Sequence, residues 1–170
     1  YDEKEMVNDI VNHLMKHKIC GVANGPAEFG PRALGNRSLL ADPRGNDIKD
    51  LVNTVKKRQK FRPFAPCVLE EHANKYFEGP YGEYMQFVSQ AKPRWHKKLP
   101  AILHVDNSCR VQTVGKKEDT ILRKVLELWY KKTKCPVLLN TSLNIRGEPM
   151  VNSPNDAVRF EKKYKIKVFS

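Results

Sequence analysis

Residues 136–149 read Pro136-Val137-Leu138-Leu139-Asn140-Thr141-Ser142-Leu143-Asn144-Ile145-Arg146-Gly147-Glu148-Pro149. Pro136–Asn140 is an apolar run of strand length, and it ends in a polar loop. In an extended chain alternate residues share a side, so Ser142 and Asn144 point together and Arg146 continues the series. Before this strand, residues 118–132 carry Ile121, Leu122, Val125, Leu126 and Trp129 on one helical stripe. After it, Ser153-Pro154 starts another helix, with Ser at the N-cap and Pro at the first helical position. A strand held between two helices, emptying into a polar loop, is the unit from which the rest is read.

Working outward, residues 3–18 place Met6, Val7, Ile10, Val11 and Leu14 on one helix face. A strand is expected at Ile19–Asn24, then a Gly/Pro-rich loop from Gly25 to Gly35, then a strand at Ser38–Ala41. Asn46 or Asp47 can cap a helix carrying Ile48, Leu51, Val52 and Val55. The loop Lys56–Pro66 leads to a strand around Cys67–Leu69. Residues 84–91 are expected to form another strand. Segments 101–106 and 109–114 are two β-rich runs joined at Asn107-Ser108 by a hairpin or tight bend. Strands, helices and hairpins alternate irregularly, so the fold class is α/β in the mixed-sheet sense, not a regular βαβ array.

The chain has 170 residues, enough for a single domain, 1–170, with one core. Lys and Arg number 31 against 19 Asp and Glu, a formal charge of +12. That surplus calls for an anionic partner: nucleotide phosphates, nucleic acid, an acidic membrane or an acidic companion domain. No run approaches the roughly 20 apolar residues of a membrane span, so no membrane partner is expected. Cys20, Cys67, Cys109 and Cys135 are scattered, without zinc-ligand spacing. Three of the four sit in apolar, strand-like contexts and read as small buried hydrophobes, and a reducing, cytoplasmic protein is expected. The chain starts at Tyr1 without a signal peptide, and the expectation is a fragment of something longer.

Four polar segments sit at strand ends or in Gly/Pro-stiffened loops, where open sheets build binding sites. In residues 28–38, EFGPRALGNRS, glycines allow close backbone approach, and Arg32 and Arg37 can grip an oxyanion by paired hydrogen bonds. The bland alternative is a surface turn with solvated arginines. In residues 60–66, KFRPFAP, Lys60 and Arg62 point the same way along an extended chain, which suits a triphosphate or acyl phosphate. Against that, Lys56, Lys57 and Arg58 precede it, and the whole could be a basic helix tail. In residues 104–112, His104 pairs by alternation with Asp106, and Arg110 with Gln112. They could equally be a solvated strand face. In residues 140–149 Ser142 has no nucleophile-elbow context, so it reads as a holder of oxygens, not an attacking group, and the bland alternative is a Ser/Asn-rich turn.

Together the strings EFGPRALGNRSLLADPR (28–44), KFRPFAP (60–66), HVDNSCRVQTV (104–114) and PVLLNTSLNIRGEPMV (136–151) resemble the C-terminal domain of the nodulation protein U and antibiotic O-carbamoyltransferase family. The resemblance implies a YrdC/Sua5-like twisted mixed β-sheet flanked by helices. It implies a K-x-R … S-x-N signature, here Lys60-Phe61-Arg62 and Ser142-Leu143-Asn144. It implies an absent N-terminal Kae1-like, metal-binding domain as partner, and no tightly bound metal in this domain. The implied reaction makes carbamoyl-adenylate from carbamoyl phosphate and ATP, with magnesium accompanying the nucleotide. The implied catalytic set is Lys60, Arg62, Arg110, Ser142 and Asn144. Substrate contacts would come from Arg32, Arg37 and Glu28, from His104 and Asp106, and from Asn140 and Arg146.

Two departures from the family pattern stand out. Pro26 occupies a position where the family often has Arg, and Asn107-Ser108-Cys109 replaces a trio of small residues. Three other readings compete: a nucleic-acid-binding module on the same basic fold, a sister threonylcarbamoyl-AMP synthase, and a catalytically silent regulatory domain, against which the K-x-R and S-x-N elements argue. No aromatic pair spaced for base stacking supports the first. The EFGPRALGNRS string favours the carbamoyltransferase branch over the second.

Overall fold

Apolar residues alternate sides along each central strand, and this decides the layering. Leu39 and Ala41 enter one core and Leu40 the other; Val68 parts from Cys67 and Leu69, and Leu138 from Val137 and Leu139. A strand buried on both faces needs a cover on each, so the sheet is sandwiched. The fold is that of a computed structural model that describes residues 2–26, 28, 33–59 and 63–170.

Nine strands occur among the described residues: β1 Ile19–Ala23, β2 Arg37–Ala41, β3 Ala65–Leu69, β4 Phe77–Glu78, β5 Ser89–Ala91, β6 Ser108–Cys109, β7 Gln112–Val114, β8 Val137–Ser142 and β9 Val168–Phe169. The helices are α1 Glu3–His17, α2 Ile48–Lys56, α3 Ala73–Tyr76, α4 Ile121–Thr133 and α5 Pro154–Tyr164. The main sheet has six strands in the order β7-β3-β8-β2-β1-β9, and β4-β5-β6 form a small second sheet. The pairs β1–β2, β2–β8 and β3–β8 are antiparallel, whereas β3–β7 and β1–β9 are parallel. The sheet is therefore mixed, as expected. No described helix is long and apolar enough to cross a membrane.

One core lies under α1 and α4, where Ile10, Val11, Leu14, Val125, Leu126 and Trp129 are fully buried. The Trp129 indole N–H donates to the Val137 carbonyl at 3.1 Å, satisfying the ring's polar atom inside that core. The opposite core gathers residues of α2, the small sheet and α5. α4 begins three residues after the expected 118, because Thr120 is the cap and accepts from the Arg123 N–H. α5 begins as expected, with Ser153 and Asp156 forming a reciprocal capping box behind Pro154. All four cysteines are free and buried, and burial pushes the Cys67 and Cys109 thiols up to about 12.

Two expectations need correction. Residues 84–91 are not one strand: only Ser89–Ala91 pairs, with β4 and β6. Met85 has φ 58 and is buried while Tyr84, Phe87 and Val88 are exposed, so the period of two is lost. β-Propensity without a partner strand does not make a strand. Likewise 101–106 is not extended. Pro100–Ile102 forms a 3₁₀ turn, and His104–Asn107 a tight turn closed by Asn107 N–H to His104 O at 2.9 Å. Asn107, at φ 63, supplies its left-handed residue, so the expected bend is present but the first arm is not a strand.

Gly35 is required by its surroundings. Its φ is +125°, and an added Cβ would lie 2.9 Å from the Leu122 Cβ. Gly35→Ala should therefore lower the unfolding free energy by about 2 kcal/mol or more. Urea unfolding with an unchanged midpoint would contradict this.

Lys56 continues the buried face of α2, one turn beyond Val52 and two beyond Ile48, and is 5% exposed. Burial, with the nearby Arg58 cation adding to it, lowers its ammonium to about 8 from the usual 10.5. Between those values the folded chain holds fewer protons than the unfolded one, so stability rises with pH across that window. The unfolding free energy of the wild type relative to Lys56→Met should grow by about 2 kcal/mol from pH 7.5 to pH 10. A flat difference in urea titrations at the two pH values would contradict the burial of that charge.

Candidate functional site

The pairing pattern brings the described ends of the four polar segments to one end of the sheet. β8 runs antiparallel to both β2 and β3, and β7 runs parallel to β3. The end where β8 finishes is therefore the end where β2, β3 and β7 begin, with Ser38 opposite Ser142, Ala65 opposite Asn140 and Cys67 opposite Gln112. The segments preceding β2, β3 and β7, and the one following β8, all leave the sheet at this end.

A cleft of about 930 Å³ opens there. Its polar lining is Arg58, His104, Asp106, Arg110, Asn140 and Ser142, together with Thr141 and Ser108. Apolar walls come from Phe64, Met85 and Ile102. The Arg58 guanidinium lies over the Phe64 ring at 4.5 Å, so an aromatic face orients one of the cleft's cations. A second cleft of about 650 Å³ lies between α1 and β9, and holds none of the four segments.

The loop after β8 is set by Lys56. Its Nζ donates to the Ser142 carbonyl at 2.8 Å, to Ser142 Oγ at 3.0 Å and to Asn144 Oδ1 at 3.3 Å. Ser142 Oγ in turn donates to Asn144 Oδ1 at 2.7 Å, so the two do share a side. Asn144 Nδ2 reaches the Glu148 carbonyl at 3.2 Å. One buried cation thus fixes the orientation of the hydroxyl and the amide together. The sequence reading passed over Lys56 as part of a helix tail. The spacing 48, 52, 56 along one helix face was the available signal.

The loop before β2 is clasped by two of its own side chains. The Glu28 carboxylate accepts from the backbone N–H of Leu34 at 2.9 Å, Asn36 at 2.8 Å and Arg37 at 3.3 Å. Arg37 is 8% exposed, and its Nη1 donates to the carbonyls of Asn24, Gly25 and Asn36. Its Nη2 reaches Asn152 O at 3.4 Å. Glu28 and Arg37 are therefore engaged in shaping the loop and do not line the cleft.

Beside it, Asn140 Nδ2 donates to Ala33 O at 3.1 Å and to Gln112 Oε1 at 2.8 Å, while Gln112 Nε2 donates to Leu34 O at 3.3 Å. Gln112 ties the same loop to the sheet.

Also in the lining, Asp106 Oδ1 accepts from Ser108 Oγ at 2.6 Å and from Ser108 N–H at 3.0 Å. These bonds, the side-chain one foremost, hold its carboxyl below its ordinary value. Cys109 lines the cleft, but burial keeps its thiol protonated, so it is no nucleophile.

Among the expected site residues, Arg110, His104, Asp106, Asn140 and Ser142 meet around the cleft. Glu28, Arg37 and Asn144 stand behind it. Arg146 is exposed on the following turn, tied through its backbone N–H to Lys56 O at 3.4 Å. Lys60, Arg62 and Arg32 lie outside the described residues. Among the described residues no group of three or more His, Cys, Asp or Glu could hold a metal ion.

The chain matches the family described as the carbamoyltransferase C-terminus over residues 11–170. It is 47% identical over 145 residues to nodulation protein NolO of Bradyrhizobium diazoefficiens, covering 82% of this chain and 26% of the relative. It is 44% identical over 124 residues to nodulation protein U of Rhizobium tropici, covering 72% and 22%. The chain thus spans about a quarter of the length of these relatives. Among solved structures, full-length HypF in a phosphate- and nucleotide-bound form superposes with a TM-score of 0.64 at 16% identity, over 93% of this chain and 20% of that one. A doubly substituted Sua5 from P. abyssi superposes with a TM-score of 0.62 at 14% identity, over 99% and 48%. At those identities the likeness speaks for fold, a YrdC/Sua5-like mixed sheet flanked by helices. Sequence and fold together make this chain a member of the carbamoyltransferase C-terminal family.

Proposed function

We propose that the cleft binds carbamoyl phosphate and ATP and forms carbamoyl-adenylate, the activated half of an O-carbamoyl transfer. The observation that carries this reading is the gathering of Arg58, His104, Arg110, Asn140 and Ser142 around one cleft, large enough for a nucleotide, at one end of the sheet. The phosphate- and nucleotide-bound state of the HypF relative supports it. Completing the transfer to a hydroxyl acceptor falls to the rest of a longer polypeptide, whose Kae1-like domain is the proposed partner.

The atoms balance only if one water enters. Water splits carbamoyl phosphate into carbamate and inorganic phosphate. A carbamate oxygen then attacks the α-phosphorus of ATP, forming one P–O bond as the bond to pyrophosphate breaks. Both substrates and the transition state are polyanionic, so charge neutralisation and positioning carry most of the catalysis. Arg110 and Arg58 both bring charge to the cleft lining; Lys60, Arg62 and Arg32 are assigned to the same phosphates. Ser142, held by Lys56, orients a carbamoyl or α-phosphate oxygen, with Asn144 behind it. Among the described cleft-lining residues Asp106 is the one carboxylate, so magnesium arriving with ATP would be held mainly by phosphate oxygens and water.

Removing one charge-assisted contact to the transition state costs about 2–4 kcal/mol, roughly 30- to 1000-fold in rate. Arg110→Ala and Arg62→Ala should each lower carbamoyl-phosphate-driven ATP–pyrophosphate exchange by that factor, without shifting the thermal midpoint. Near-normal exchange in both would place the chemistry elsewhere.

A further inference from the structure

Asn140 is 2% exposed yet lines the cleft. Its orientation is fixed by chemistry. Ala33 O and Leu34 O can only accept, so Asn140 Nδ2 must face the first and Gln112 Nε2 the second. That leaves Gln112 Oε1 to accept from Asn140 Nδ2, and Asn140 Oδ1 to face away from the pair. This Oδ1 is buried and has no hydrogen-bond partner among the described residues. A buried acceptor without a donor is costly, and a partner that brings an N–H recovers that cost.

Carbamoyl phosphate differs from acetyl phosphate by one group: an amide –NH₂ where the other has a methyl. The amide nitrogen is the acyl phosphate's one hydrogen-bond donor at neutral pH, and the methyl has none. We propose that Asn140, locked by Gln112, is the residue that selects a carbamoyl group over an acetyl group, accepting from the substrate amide through Oδ1. The inference rests on the carbamoyl-activation reading and adds to it the source of acyl selectivity. Sites that hydrogen-bond a substrate N–H reject the isostere lacking it far more strongly than apolar pockets discriminate by size. The adenine amino group is the other –NH₂ that the same substrates could offer, and inosine triphosphate, which lacks it, separates the two sources.

Titration calorimetry of the chain, in the presence of a non-hydrolysable ATP analogue, measures the affinity for carbamoyl phosphate and for acetyl phosphate. The wild type should prefer carbamoyl phosphate by about tenfold or more. Asn140→Leu should bring the two affinities within about threefold, weakening carbamoyl phosphate more than acetyl phosphate. Should the leucine variant fail to fold, Asn140→Val, smaller and suited to a strand, takes its place. A preference that survives substitution, or no preference in the wild type, overturns the assignment to Asn140 and leaves the activation reading standing. Loss of discrimination between ATP and inosine triphosphate, with acyl preference intact, overturns it in favour of adenine. If the wild type binds neither acyl phosphate, the activation reading falls and the inference with it.

Discussion

The antiparallel pairing of β8 with both β2 and β3 is the constraint on which the rest of the structure depends. It places Ser142 beside Ser38 and Asn140 beside Ala65. Segments separated by more than a hundred residues thereby leave the sheet at a single end. A register slip of one residue would turn Leu138 out of its core and carry Asn140 and Ser142 to the wrong side. Apolar burial on both faces of the sheet therefore guards the cleft geometry as well as stability.

At that end the cleft is built in two tiers. Cations and amides face the space, while buried polar groups hold them from behind: Lys56 for Ser142, Gln112 for Asn140, Glu28 and Arg37 for the loop carrying Ala33. Such a tier costs burial of charge and is tolerated because nearly every donor and acceptor is matched. Its return is preorganisation: groups already aligned lose little entropy when a ligand arrives.

Much of this was legible in the sequence. Helices with strong apolar stripes, such as Met6 to Leu14 and Ile121 to Trp129, fell where periodicity put them. The four polar segments were recognisable because glycine, proline and arginine cluster at strand ends. What stayed hidden was division of labour. Nothing in the residue types separates Arg110, which lines the cleft, from Arg37, which is consumed by backbone carbonyls. That difference comes from tertiary packing. Residues 84–88 misled because Tyr84, Phe87 and Val88 have β-propensity but no partner strand. Lys56 was missed because charge drew attention from its place on a buried helix face.

The account's central claim is that both oxyanionic substrates occupy the sheet end where β8 stops. A crystal of the chain grown with a non-hydrolysable ATP analogue and carbamoyl phosphate tests it directly. The account predicts ligand density between Arg110 and Ser142, with the acyl group against Asn140. Density confined to the cleft between α1 and β9, or phosphates facing bulk solvent away from Arg110, would contradict it.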